Sequence, residues 1–426
     1  MQQAQASESM TAKLWWRLRR NRLALWSLRC LSGLLLIALL ADFIANEKPL
    51  YCRIDGSSYF PVCRQYLVDL GLVGWDARFV TTPWAEQPYE AVVFAPIPYS
   101  ATTQDTNNRG LVSPFAQQQV ASARWRHWLG TDQLGRDVAA GMVAGTRTAM
   151  LVGIIAMGIA TLLGIFFGAI AGYFGDDRYR ISWISLLLNA AALACSLLYL
   201  IVIRGQRFFL AVEQDRAAQE ILTNLLVVSG VFATANLIAY LLQRFRPFRR
   251  SVSLPLDIAV MRLVEVMESV PALLLLLAIA ALLRKPGILY VMAIIGLIRW
   301  TNIAQFLRAE LLRIRQLEYI EAARALGFSS WRIILRHALP NAITPVLIVI
   351  SFGMASAILL EAFMSFLGIG VAAEDVTWGS MLSDARQNFS AWWLAVFPGT
   401  AIFITVLLFN LIGDGLSEAL NARLDT

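Results

Sequence analysis

The stretch EYIEAARALGFSSWRIILRHALPN, residues 318–341, decides how the chain is read. Ile320, Ala323 and Leu326 recur at three-residue spacing, the pattern of one face of a short helix. Gly327 suits the left-handed cap that would end this helix, and Ser329 or Ser330 can open a second one by accepting a backbone hydrogen bond. That second helix, through Trp331, Ile334 and Leu335, is expected to stop before Pro340, because proline disfavours helix at the residue preceding it. Long apolar runs flank both sides, so the pair occupies a short connection between two membrane spans. Too small to be a domain, it is built to dock into one.

The 426 residues are 58% hydrophobic and 15% charged, with a mean hydropathy of +0.60. A soluble chain of this size needs more charge to cover its surface, so lipid is part of the solvent. The net charge of +7 comes from arginines clustered beside apolar runs, where membrane proteins keep them, and this argues against nucleic-acid binding. Four cysteines and two histidines, widely scattered, make no metal site, and no cluster of His, Asp or Cys suggests a catalytic centre. The phosphate-binding pattern G-x-x-x-x-G-K-[ST] is absent, so any nucleotide must be bound by another subunit.

A helix crossing about 30 Å of hydrocarbon needs about 20 apolar residues. Eight runs qualify: Leu23–Ala45, Ala149–Phe174, Ile181–Ile203, Ile221–Leu242, Ile258–Leu283, Ile288–Leu307, Ala342–Leu367 and Trp392–Ile412. The fold class is an all-α polytopic membrane protein. An even count puts both termini on one side, and the arginines before Leu23, from Arg244 to Arg250 and from Arg308 to Arg336 mark that side as cytoplasmic. Arg204 and Arg207 fall on the other side and run against the rule. The first run reads as a retained anchor, since no cleavage site follows it.

Residues 1–22 are then a cytoplasmic tail, 23–45 the first span, 46–148 an external loop, 149–174 the second span, 175–254 a segment with two further spans, and 255–426 the remainder, with a cytoplasmic loop at 308–340. The external loop is either a tether or a small cap, and Trp75, Trp84, Phe94, Trp125 and Trp128 favour packing. Cys52 and Cys63 lie in it, either as two free thiols or as a disulfide, which that compartment would preserve. Pro271 and Pro345 predict kinks, and the glycines from Gly153 to Gly172 predict close packing of the second span. Glu265, Glu268 and Glu361 are either proton-relay groups or partners of arginines such as Arg262 and Arg299, and pairing is the expected role.

Glu321-Ala322-Ala323, then Gly327, then Leu339-Pro340 resembles the EAA loop of ABC-importer permeases. His337 stands where many members carry isoleucine, a departure common in peptide-transporting members. His127-Trp128-Leu129-Gly130-Thr131-Asp132 with Gly135-Arg136-Asp137 is similar to a signature of the dipeptide and oligopeptide branch, as are Ser365–Gly368 with Trp378-Gly379 and the segment Phe409–Leu416. Residues 44–61 and Ala95-Pro96-Ile97 look like the external loop of Yej-type peptide-uptake permeases.

This resemblance implies a type I importer permease of the bacterial inner membrane with a six-span core, here carrying an inserted pair. It implies alternating access with a homologous second permease, two ATPase subunits that bind ATP and Mg, and an extracytoplasmic substrate-binding protein, with the coupling loop docking on an ATPase. No cofactor is expected in this chain. A permease for a non-peptide solute such as nickel is the alternative within the family. A secondary transporter is the alternative outside it, although no internal repeat of the kind such folds carry is evident.

Overall fold

Backbone groups in lipid find no water, so long apolar runs must satisfy their own hydrogen bonds as helices. A computed structural model of the chain, describing residues 10–176, 180–204, 207, 217–282, 287–370, 372 and 375–421, follows that rule. Among the described residues six helices are long and apolar enough to cross a membrane: Arg22–Leu39, Val138–Phe174, Ala218–Leu242, Ile288–Ile314, Ser330–Phe366 and Trp392–Leu420. The bent pair Leu256–Ser269 and Ala272–Ala281 stands where the fifth span was expected, and the shorter apolar helix Trp183–Leu198 where the third was. The chain is a multi-pass membrane protein.

The 78° bend of that pair falls at Pro271, which lacks the donor a continuous helix would need. Pro345 behaves differently. The helix Leu339–Phe366 runs through it unbroken. The second span begins at Val138 rather than Ala149, because Asp137 caps its first turn by accepting the Ala140 amide at 2.7 Å. Arg147, whose charge interrupted the apolar pattern, donates to Asp42 at 3.0 and 2.6 Å and to the Ala38 carbonyl at 3.1 Å.

The connection between the first two spans is a folded cap and adds strands to the expected all-helical class. Strand β1 (Tyr51–Ile54) pairs antiparallel with β2 (Ser57–Tyr59) on one side and β3 (Ala91–Val93) on the other. Cys52 and Ile54 point from β1 into a cluster with Phe79 and Trp84. Cys52 and Cys63 are both free thiols here, so the disulfide alternative is not realised. Cys52 is enclosed by that cluster, and burial pushes its thiol pKa up, whereas Cys63 is exposed on the helix Pro61–Asp69.

Contacts divide the chain into two compact units, one from residues up to 165, 270–306 and 339 onward, the other from 166–269 and 307–338. In the first, the core brings together Ala38, Ala149, Met150, Ile358, Ala362, Trp378 and Ile402. Small residues make that density possible: a Cβ added to Gly164 would lie 2.6 Å from Ile303, and one on Gly415 2.4 Å from the Ala24 methyl. Gly158, by contrast, has nothing within 4 Å, so the glycine stripe of the second span packs closely only in part.

In the second unit, residues 180–253 form an excursion whose two ends meet. Strand β4 (Arg180–Ser182) pairs antiparallel with β5 (Ser251–Ser253), Ile181 opposite Val252. Between them the helices Trp183–Leu198 and Ala217–Leu242 are joined by polar side chains: Gln243 donates to Ser182 and Ser185 at 2.8 Å each, and Asn189 and Asn236 exchange bonds of 3.2 and 3.1 Å. Such bonds hold apolar helices together where lipid gives no hydrophobic drive. Arg204, the exception to the charge rule, pairs with Glu220 at 3.1 Å.

Candidate coupling site

The segment Glu318–Asn341 is built as its caps dictate. The helix Glu318–Ala325 carries Glu318 and Glu321 in its first turn, where acidic groups meet the positive end of the helix dipole. It ends on Gly327 at φ +78°, with the Gly327 amide donating to Arg324 and the Phe328 amide to Ala323, at 2.9 and 3.2 Å. That is the six-residue left-handed closure for which glycine is suited. Ser329 then opens the next helix, its hydroxyl accepting the Arg332 amide at 3.4 Å.

The second helix does not end at Pro340. Ser330–Ile333 passes through a π turn at Ile334–Ala338 straight into Leu339–Phe366. A proline ring collides with the carbonyl four residues back, and the wider π turn preceding Pro340 relieves that collision, so the helix continues where an α-helix would have stopped.

One face of the pair is fastened within its own unit. Ile320, Ala323, Ile333 and Ile334 are buried. Trp331 meets Phe174 edge-on at 5.7 Å, the Arg324 guanidinium lies 5.8 Å over Tyr173, and Phe328 stacks on His337 at 6.2 Å. The preceding helix is anchored by Arg308, which binds both carboxylate oxygens of Asp257, one bond measuring 2.6 Å. Asp176 accepts the Asp257 and Ile258 amides at 3.0 and 3.2 Å, and Gly172 lets the Arg308 backbone approach to where a Cβ would lie 2.8 Å from its carbonyl oxygen.

The other face is open. Glu321 and Ala322 are exposed, as are Leu326 at 73%, Trp331 at 58% and Leu335 at 62%. A small-residue helix edge bordered by large apolar side chains thus has no cover among the described residues. Of the residues singled out in the sequence, Ala323 points inward, Gly327 makes the turn, Leu339 is half-buried and Pro340 exposed.

Gly130–Asp137 form a separate lock at the start of the second span. Thr131 donates to the Asn108 carbonyl at 2.9 Å and accepts the Val112 amide at 3.0 Å, while Asp132 accepts the Arg136 side chain at 2.5 Å and its amide at 2.8 Å. Gly130 and Gly135 both sit at φ +81°. At its centre is a motif residue for which no individual role was expected. His127, fully buried, bonds Asp137 through Nδ1 at 2.8 Å and Asp105 through Nε2 at 3.2 Å, with Tyr99 stacked 4.4 Å away. Burial disfavours the imidazolium, but the two carboxylates outweigh it and raise the His127 pKa. These groups make an internal ion cluster, with nothing in it arranged to transfer a proton to a substrate.

The acidic groups near spans also resolve. Glu265 pairs with Arg262 at 2.6 Å, as expected, and buried Glu361 accepts the Ser365 hydroxyl at 2.5 Å. Arg299 corrects the expectation of pairing: among the described residues no carboxylate reaches it, and its Nε is buried without a hydrogen-bond partner. No group of His, Cys, Asp and Glu able to hold a metal occurs among the described residues.

The described helices form a multi-pass chain with a fastened helical pair in the connection that leads into Leu339–Phe366. Two family profiles match: "Binding-protein-dependent transport system inner membrane component" over residues 235–426 and "N-terminal TM domain of oligopeptide transport permease C" over residues 9–56. Over those residues the chain is similar to the permeases of binding-protein-dependent transport systems. It is similar to the inner membrane ABC transporter permease protein YejE of Escherichia coli (strain K12), 29% identical over 95% of each chain. It also resembles the dipeptide transport system permease protein DppC of Alkalihalophilus pseudofirmus, 29% identical over 78% of this chain and 81% of the relative. A putative peptide transport system permease protein of Brucella suis is 41% identical over 39% of this chain and 57% of its own length.

Proposed function

We propose that this chain is the permease subunit of an ATP-driven importer that moves peptides across the bacterial inner membrane into the cytoplasm, without a nucleotide site of its own. The observation that carries the reading is the pair of helices around Gly327, fastened on one face through Ile320, Ala323 and Ile333 and open on the other at Ala322, Leu326 and Leu335. An ATPase subunit covers that face, and ATP with Mg is held there, in the partner. Both termini and the helical pair lie in the cytoplasm, following the arginine distribution. A homologous second permease completes the path and an extracytoplasmic binding protein delivers the substrate. ATP binding supplies the free-energy difference between inward and outward states. The peptide cargo is supported by relatives named for dipeptide and peptide transport.

The test is reconstitution of the chain with its partner permease, ATPases and binding protein in proteoliposomes, with Leu335→Cys as a cross-linking site. The reading predicts ATP-dependent uptake of a labelled peptide and a disulfide between position 335 and a cysteine on the ATPase. Uptake that ignores ATP, or a position 335 that links only to lipid-facing probes, would overturn it.

A further inference from the structure

The cap between the first two spans encloses a cleft of about 860 Å³, within the about 300–1,000 Å³ range of small-ligand sites. Its walls are aromatic and already fixed. Phe79 and Trp84 stack at 5.0 Å with Trp75 edge-on to Trp84 at 5.4 Å, and across the cleft Tyr99 meets Trp125 at 5.7 Å. Rigid aromatic walls bind apolar side chains without an ordering cost.

The charge facing the cleft is predominantly negative. Glu47, Glu86 and Asp105 line it against one ammonium, that of Lys48. Lys48 donates to Gln65 at 2.5 Å, lies 5.4 Å over Trp75 and has Glu47 as its strongest charge partner, which leaves Glu86 as the carboxylate without a counter-ion among the described residues. Asp105 is offset by His127 behind it. Glu47 accepts the Thr103 hydroxyl with one oxygen, and exposed Glu86 has no ion-pair or hydrogen-bond partner among the described residues. A carboxylate without a counter-ion in an aromatic-lined cleft, with a second carboxylate in the same lining, forms a receptor for an ammonium group next to an apolar side chain, since a cation is attracted both to carboxylates and to aromatic rings.

We infer that this cleft is a peptide-binding site, selecting short peptides that carry a free ammonium group beside an apolar or aromatic residue. The inference rests on the peptide-importer reading and adds to it a substrate contact outside the membrane spans. It commits to the peptide itself rather than to a docking protein, because the cleft is concave and of small-ligand size and its aromatic lining is joined by the carboxylate of Glu86, which has no counter-ion among the described residues.

The test uses the full chain in lipid nanodiscs and the tripeptide Lys-Phe-Ala, with a fully N-acetylated form as its neutral counterpart, followed by calorimetry and tryptophan fluorescence. The free-amine peptide is expected to bind, and the acetylated form at least about tenfold more weakly. Glu86→Gln should weaken binding about three- to fivefold. Val80, exposed on the cleft wall, becomes a plug in Val80→Trp without disturbing the buried cluster, and that variant should lose binding while its thermal unfolding is unchanged. Equal affinity of the two peptides, or full binding to a stable Val80→Trp variant, overturns the inference. So does a Val80→Trp variant that binds peptide normally yet no longer responds to the binding protein, which would make the cleft a protein dock. The assembled transporter separates the two readings: peptide uptake unaffected by Val80→Trp removes the cleft and leaves the importer, whereas cleft binding with no peptide uptake by the wild-type complex removes the importer.

Discussion

Gly327→Val isolates the turn of the coupling pair from its packing. A Cβ at position 327 meets nothing within 4 Å, so a larger side chain collides with no neighbour, and the perturbation is the backbone alone. At φ +78° an L-residue costs about 1–2 kcal/mol, with β-branched valine at the upper end and asparagine below it. A penalty of about 2 kcal/mol shifts the closed turn about 30-fold toward alternatives in which the Ala323 and Arg324 carbonyls lose their partners. The helices on either side keep their buried residues, so the protein should still fold and insert. The expected result in proteoliposomes is ATP hydrolysis that persists while ATP-dependent uptake falls, graded Gly327→Asn, Gly327→Ala, Gly327→Val. Uptake by Gly327→Val equal to wild type at normal expression would refute the assignment of the turn to coupling, and a loss as severe in Gly327→Asn would refute the conformational cause.

Gly164→Val should lower the thermal midpoint in detergent by an amount corresponding to about 1–3 kcal/mol, because its side chain enters the space of Ile303, whereas Gly158→Val should leave the midpoint near wild type; equal effects would contradict the packing described. His127→Ala leaves Asp105 and Asp137 without their shared cation and should cost about 3 kcal/mol or more, read by thermal unfolding. Since the folded pKa of His127 is raised, its stabilisation is complete below about pH 6.5 and is lost as pH climbs through the raised value. Hydrogen-exchange protection of residues 127–137, corrected for intrinsic rate, should therefore fall on the alkaline side, and protection that grows with pH would contradict the sign. In the folded protein Cys63 should alkylate quickly and Cys52 only on unfolding, and a mass consistent with a Cys52–Cys63 bond would refute the thiol assignment.

The helical pair around Gly327 was legible because its signals are local: Gly327 and Ser329 each act on backbone groups within a few residues. Eight apolar runs were legible for the same reason, since a helix in lipid closes its bonds within itself. Pro340 misled because the rule against a helix before proline assumes α geometry, and a π turn escapes it. The cap was opaque because β1 pairs with β3 across nearly forty intervening positions, a choice made by packing around Cys52 and Trp84 rather than by either strand's own pattern. His127 was visible as a letter in a motif, but its partners stand 22 and 10 residues away, and only folding reveals that Asp105 and Asp137 face the same ring.

The strand pair Arg180–Ser182 and Ser251–Ser253 has a consequence for the history of the chain. Antiparallel partners lie about 5 Å apart, so a polypeptide leaving at Ser182 returns almost to its point of departure. Genetic gain or loss of everything between would alter no register downstream. A segment closed at its own base in this way can change in length or sequence while the strand pair that bounds it, and the packing around it, are left in place.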